Sequence, residues 1–106
     1  MLTRSWLEWF WGAFLCSPDE GLDPRVSPAR AKDLRGLAPA AVVTAEHHPL
    51  ADQGSKYAAR LRDTGVHVQH IPVPGAVHGF LSFTRDVDLS RNVVNRLAVE
   101  IRHAFP

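Results

Sequence analysis

Three polar residues in a row, Glu46-His47-His48, close the stretch that opens with the apolar run Ala40-Ala41-Val42-Val43. Imidazole beside carboxylate is the material of proton transfer: the ring changes charge near neutral pH and an acid can orient it. A further imidazole, His78, sits in Pro74-Gly75-Ala76-Val77-His78-Gly79-Phe80, a stretch flanked by glycines. Such a histidine suits a general base, whose usual companions are an orienting carboxylate and a hydroxyl or thiol to activate. The hydroxyl is the missing part. No Gly-x-Ser-x-Gly elbow occurs, and no glycine cluster is available for an oxyanion hole. Ser55 falls inside a helical segment, Ser82 is too close to His78 in sequence, and Ser17 and Ser27 read as helix caps. A complete nucleophilic site cannot be assembled from these residues.

The elements that position them follow from the apolar pattern. Ala40 to Thr44 reads as a strand buried on both faces, and Pro49 restricts His48 to an extended or turn conformation. Asp52 to Asp63 has helical spacing, with Tyr57, Ala58 and Leu61 on one face, Lys56, Arg60 and Arg62 pointing outward, and Gly65 at its end. Val66 to Val73 alternates as a second strand, which Pro72 and Pro74 place near a sheet edge or at its own end. Strand, helix, strand in this order is a βαβ unit, so the strands are parallel. Both histidine loops therefore leave the carboxyl edge of one sheet, where open α/β sheets bind ligands. Val93, Val94, Leu97, Ala98, Ile101, Ala104 and Phe105 mark a closing helix, packed on one sheet face and capped by Asp88 or Ser90.

The first 39 residues are of another kind. Leu2 to Leu15 has helical spacing, with Trp6, Trp9, Phe10, Trp11 and Phe14 leaving only a narrow polar edge. A helix apolar nearly all round expects to be covered. It reads equally as a lid or pocket wall and as a core helix. Ser17-Pro18-Asp19-Glu20 has the form of a capping box, and with Ser27-Pro28 it makes residues 16–39 a structured connection.

At 106 residues, with 45% hydrophobic and 22% charged residues, the chain is at most one globular domain. The net charge of +1 gives no electrostatic case for nucleic acid. The single cysteine, Cys16, excludes an internal disulfide and is expected to be a small buried hydrophobe. The apolar N-terminal run is too short to span a bilayer, and a cytoplasmic location is expected. Metal is not expected: His67 and His70 lie three apart on a strand and face opposite ways, and no cysteine or carboxylate pattern accompanies them.

Several motifs in order, Thr44-Ala45-Glu46-His47-His48-Pro49-Leu50-Ala51-Asp52-Gln53-Gly54, Tyr57-Ala58-Ala59-Arg60-Leu61, Gly65-Val66 and His78-Gly79-Phe80, resemble the C-terminal end of hormone-sensitive-lipase-like α/β-hydrolases. Ser27-Pro28 and Asp33-Leu34-Arg35-Gly36-Leu37 join the resemblance. It implies a carboxylic ester hydrolase with a serine nucleophile, an acid and a histidine, and no cofactor. His78 matches the catalytic histidine. Position 48 matches the acid of an Asp-Pro-Leu motif, and here it is His48. Imidazole cannot supply that buried negative charge, so Asp52 and Glu46 are the candidate substitutes. Trp6, Phe10 and Phe80 are the candidate substrate contacts.

The expected architecture is α/β: the last βαβ unit and terminal helix of an α/β-hydrolase sheet, a partial fold. Residues 1–39 form a cap-like helix and connection, and residues 40–106 run β-α-β-α. Two parallel strands bury too little by themselves. The chain is thus expected to be marginal, to self-associate, or to pair with a polypeptide supplying the N-terminal part of the fold. A truncated or mis-started gene product is one origin; a non-catalytic remnant that binds a hydrolase or an apolar ligand is the rival. A small apolar ester is the substrate expected of the completed fold.

Overall fold

Val42, Val43 and Thr44, β-branched and consecutive, favour extended backbone. In the computed structural model, which describes residues 2–105, they form the middle of β1 (Ala40–His47). The order is α1 (Arg4–Phe14), 3₁₀ turns at Pro18–Leu22 and Pro28–Arg30, β1, α2 (Ala51–Asp63), β2 (Val68–Val77), a 3₁₀ turn at Phe80–Phe83, and α3 (Asp88–Ala104). The two strands are parallel neighbours in a two-stranded sheet, with Val43 opposite Ile71 and Ala45 opposite Val73.

Side-chain alternation divides the core between the two faces. Val43, Ala45, Ile71 and Val73 pack with Ala76, Phe80, Leu81, Val93 and Leu97. On the other face, Ala40 and Val68 pack with Leu61, Val66 and Tyr57 of the α2 region and with Leu34 of the connection. Hydrogen bonds hold parts of residues 16–39 in place. The Ser17 N–H donates to Glu20 Oε1 at 2.8 Å, and the Arg60 guanidinium donates to the carbonyls of Ala29 and Ala31. Arg60 therefore turns back onto the connection and does not point freely outward.

The backbone pattern sets the two sheet edges apart. The Ala40 N–H donates to the His67 carbonyl at 2.9 Å, so in this parallel ladder Ala40, Val42 and Thr44 turn their backbone groups toward β2. Ala41 and Val43 turn theirs the opposite way, toward the outer edge of β1. On β2 it is Val68, His70 and Pro72 that face outward, and proline has no N–H to offer there.

Four further expectations are corrected. The second strand begins later and runs to Val77, because a bulge absorbs Pro74-Gly75-Ala76: one residue of β1, Glu46, stands between pairings that span three on β2. Cys16 is exposed, lying just beyond α1, which has no buried residue to shelter it. Neither Asp88 nor Ser90 caps α3; Val87 holds that place, and Ser90 is fully buried with its hydroxyl donating to the Phe80 carbonyl. Finally, α3 reaches the core only through Val93 and Leu97, while Ile101 and Phe105 are 59% and 78% exposed. The reason is geometric. The C-terminal half of α3 runs beside the amino ends of both strands, but an open groove of about 580 Å³, lined by Ala40, Ala41, Gln69, Ile101 and Phe105, lies between them.

Candidate active site

The site grows from the carboxyl ends of the two strands. Within the bulge, Gly75 adopts φ +74° and donates its N–H to Glu46 Oε2 at 2.6 Å. This charge-assisted bond ties the end of β1 to the bulge of β2. Gly79, at φ +77°, then turns the chain into the Phe80–Phe83 turn. His78 is the residue between these two features. On the other strand, Pro49 ends the extended run and a turn leads into α2, leaving His48 at the mouth.

The two rings meet. His48 Nε2 lies 2.7 Å from His78 Nδ1, with ring centroids 4.8 Å apart. The Leu50 N–H donates to His48 Nδ1 at 2.9 Å. Partial burial, and then the charge of His78, holds the His48 pKa below the ordinary imidazole value. Beside the pair lies a hollow of about 290 Å³, walled by Val43, Leu50, Val77, Phe80 and Leu81.

Not every sequence candidate is brought here. Asp52 is exposed in the first turn of α2, where a carboxylate favours the helix dipole, and it makes no hydrogen bond to His78. Glu46 is occupied by the Gly75 amide, with His47 Nε2 at 3.7 Å in an exposed pairing. Phe80 is buried and lines the hollow. Trp6 and Phe10 do not line it: they stack at 6.0 Å on α1 and are 53% and 51% exposed. His70 is bound to Thr44, with Nε2 to Oγ1 at 3.0 Å. Sequence reasoning missed the Leu50 amide and the Glu46–Gly75 tie. The Pro74-Gly75 pair marks a turn or a strand end and does not by itself distinguish a bulge.

The geometry is an imidazole on the carboxyl edge of a parallel pair, partnered by the residue that follows the preceding strand and set beside an apolar hollow. A profile of the family described as alpha/beta hydrolase fold matches residues 1–82. The chain belongs to the α/β-hydrolase family, in its hormone-sensitive-lipase-like branch. Among relatives of this chain, the ethyl acetate hydrolase of Pseudomonas putida is 41% identical over 81 residues, covering 76% of this chain and 26% of that protein. The arylesterase of Saccharolobus solfataricus is 42% identical over 83 residues, covering 78% and 26%. The crystal structure of EstE1, a thermostable carboxylesterase from a metagenomic library, superposes with a TM-score of 0.95 at 39% identity, covering 99% of this chain and 35% of that one. The chain thus spans about a quarter to a third of the length of the hydrolases it matches.

Proposed function

We propose that this chain is the C-terminal part of a carboxylic ester hydrolase domain, contributing the active-site histidine, His78, and one wall of the acyl cleft. The paired rings of His48 and His78 beside an apolar hollow carry this reading. The serine nucleophile, the oxyanion hole and the remaining strands come from another stretch of polypeptide, which pairs along the outer edge of β1. Small apolar esters fit the hollow, in keeping with the ethyl acetate hydrolase and arylesterase among the relatives. With no serine elbow and an imidazole in place of the orienting acid, the chain alone does not turn over esters. In a serine-protease triad, replacing the acid by its neutral amide costs about 10⁴ in kcat.

The test is p-nitrophenyl acetate hydrolysis by the chain alone and with a polypeptide spanning the upstream two thirds of a related esterase. No turnover above free imidazole is expected alone; in the mixture, turnover is expected far below that of an enzyme with an orienting acid, rising on His48→Asp and abolished by His78→Ala. Turnover by the chain alone, or a mixture indifferent to His78→Ala, overturns the reading.

A second reading is favoured by one observation: α1 has no buried residue. On that reading the chain is a non-catalytic module that binds a hydrolase partner or an apolar ligand through Trp6–Leu15. Saturable binding lost on Trp6→Ala, without turnover in any mixture, selects it.

A further inference from the structure

Two hydrogen bonds meeting on one ring decide where two protons sit. A backbone N–H can only donate, so the Leu50 amide at 2.9 Å requires a lone pair on His48 Nδ1. A neutral imidazole carries one N–H, and with Nδ1 bare that proton is on Nε2. His48 Nε2 is the atom 2.7 Å from His78 Nδ1. The bond therefore runs from His48 to His78, and Nδ1 of His78 is the acceptor. The proton of neutral His78 is then on its own Nε2.

We propose that the Leu50 amide, acting through His48, locks His78 in the Nε2–H tautomer, the inverse of the form a general base needs. In a serine triad the acid accepts Nδ1–H, which leaves Nε2 bare to take the hydroxyl proton. Here His48 is a donor where that acid is an acceptor, and His78 Nε2 offers an N–H in place of a lone pair. His48 and Leu50 are positioning residues: they set the state of His78 without touching a substrate. The consequence for catalysis rests on reading His78 as the hydrolase histidine; the tautomer does not. It follows from the two bonds alone and applies to a binding module equally.

The experiment is nitrogen-15 NMR of the imidazoles in the 106-residue chain at about pH 8.5, well above the ordinary imidazole range. The expected result is one proton on His48 Nε2, with scalar coupling across the hydrogen bond to an unprotonated His78 Nδ1. A proton found on His78 Nδ1, or absence of the coupling, overturns the proposal. In His48→Asp the new carboxylate can only accept, so the His78 proton moves from Nε2 to Nδ1. An unmoved proton in that variant, with the amide spectrum otherwise retained, also overturns it. If the variant fails to fold, the wild-type coupling decides alone. Ester hydrolysis enters neither measurement, so failure of this proposal is distinct from failure of the functional reading.

Discussion

The carboxylate of Glu46 accepts the N–H of Gly75 at 2.6 Å, and this bond lets one residue of β1 stand against a three-residue bulge in β2. It acts as a tie between strands, two residues before His48 on one side and three before His78 on the other. The position of the ring pair depends on it.

Glu46→Ala is therefore expected to release the bulge. The stability loss is modest, about 0.5–1.5 kcal/mol, because the site is exposed. The local effect is larger: amide exchange at Gly75 quickens, and the coupling between the His48 and His78 rings weakens. Glu46→Gln keeps an acceptor and lies between the two. Hydrogen exchange followed residue by residue checks both.

A methyl group has no room at Gly54. A Cβ there would lie 2.9 Å from Thr44 Cγ2, and Thr44 is buried with its hydroxyl bound to His70. Alanine would gain helix propensity worth up to about 1 kcal/mol, but overpacking against a held β-branched neighbour costs roughly 1–3 kcal/mol. Gly54→Ala is expected to lower the denaturant midpoint. Adding Thr44→Ser, which removes the clashing methyl, recovers part of the loss.

Ser90 supplies the fully buried hydroxyl that ties α3 to the Phe80 carbonyl. Ser90→Ala leaves that carbonyl without its partner, at a cost of about 1–3 kcal/mol. Because α3 docks chiefly on the turn containing Phe80, the loss should appear first as raised exchange along α3. Uniform loosening of both strands would contradict this.

Acid should weaken the fold through His48. Its folded pKa is depressed by partial burial and by the charge of His78, so the unfolded chain takes up this proton more readily. The His48 contribution to stability is full above the ordinary imidazole range and falls as pH drops through about 6.5. His48→Asn removes this titration, and its pH–stability curve should be flatter between roughly pH 7 and 5. Urea melts at a series of pH values compare the two.

How much of this was legible in the sequence follows from what each signal depends on. Val42-Val43-Thr44, the Tyr57–Leu61 face and Val66 gave the βαβ unit because period and branching act locally. The family followed from motif order, and so did the placing of position 48 against His78. The bulge was not legible, since Pro72 and Pro74 look like a strand end until the outward direction of Pro72 is known. Register alone settles that. Nor could periodicity tell that Val94, Ile101 and Phe105 would stay exposed, because their pattern records an apolar face without naming what covers it. The Leu50 amide was invisible for a simpler reason: a backbone N–H has no letter in the sequence.

The two sheet edges give the molecule a valence. The outer edge of β2 is blunted by Pro72, while the outer edge of β1 presents the backbone of Ala41 and Val43 beside small apolar side chains. A protein with two open edges can add copies without limit and grow into a fibre. With one, two copies that join β1 to β1 about a two-fold axis satisfy each other and leave nothing to extend. Were copies to associate through the sheet, this single open edge would hold them to a pair, and any strand extending the sheet would compete for the same place.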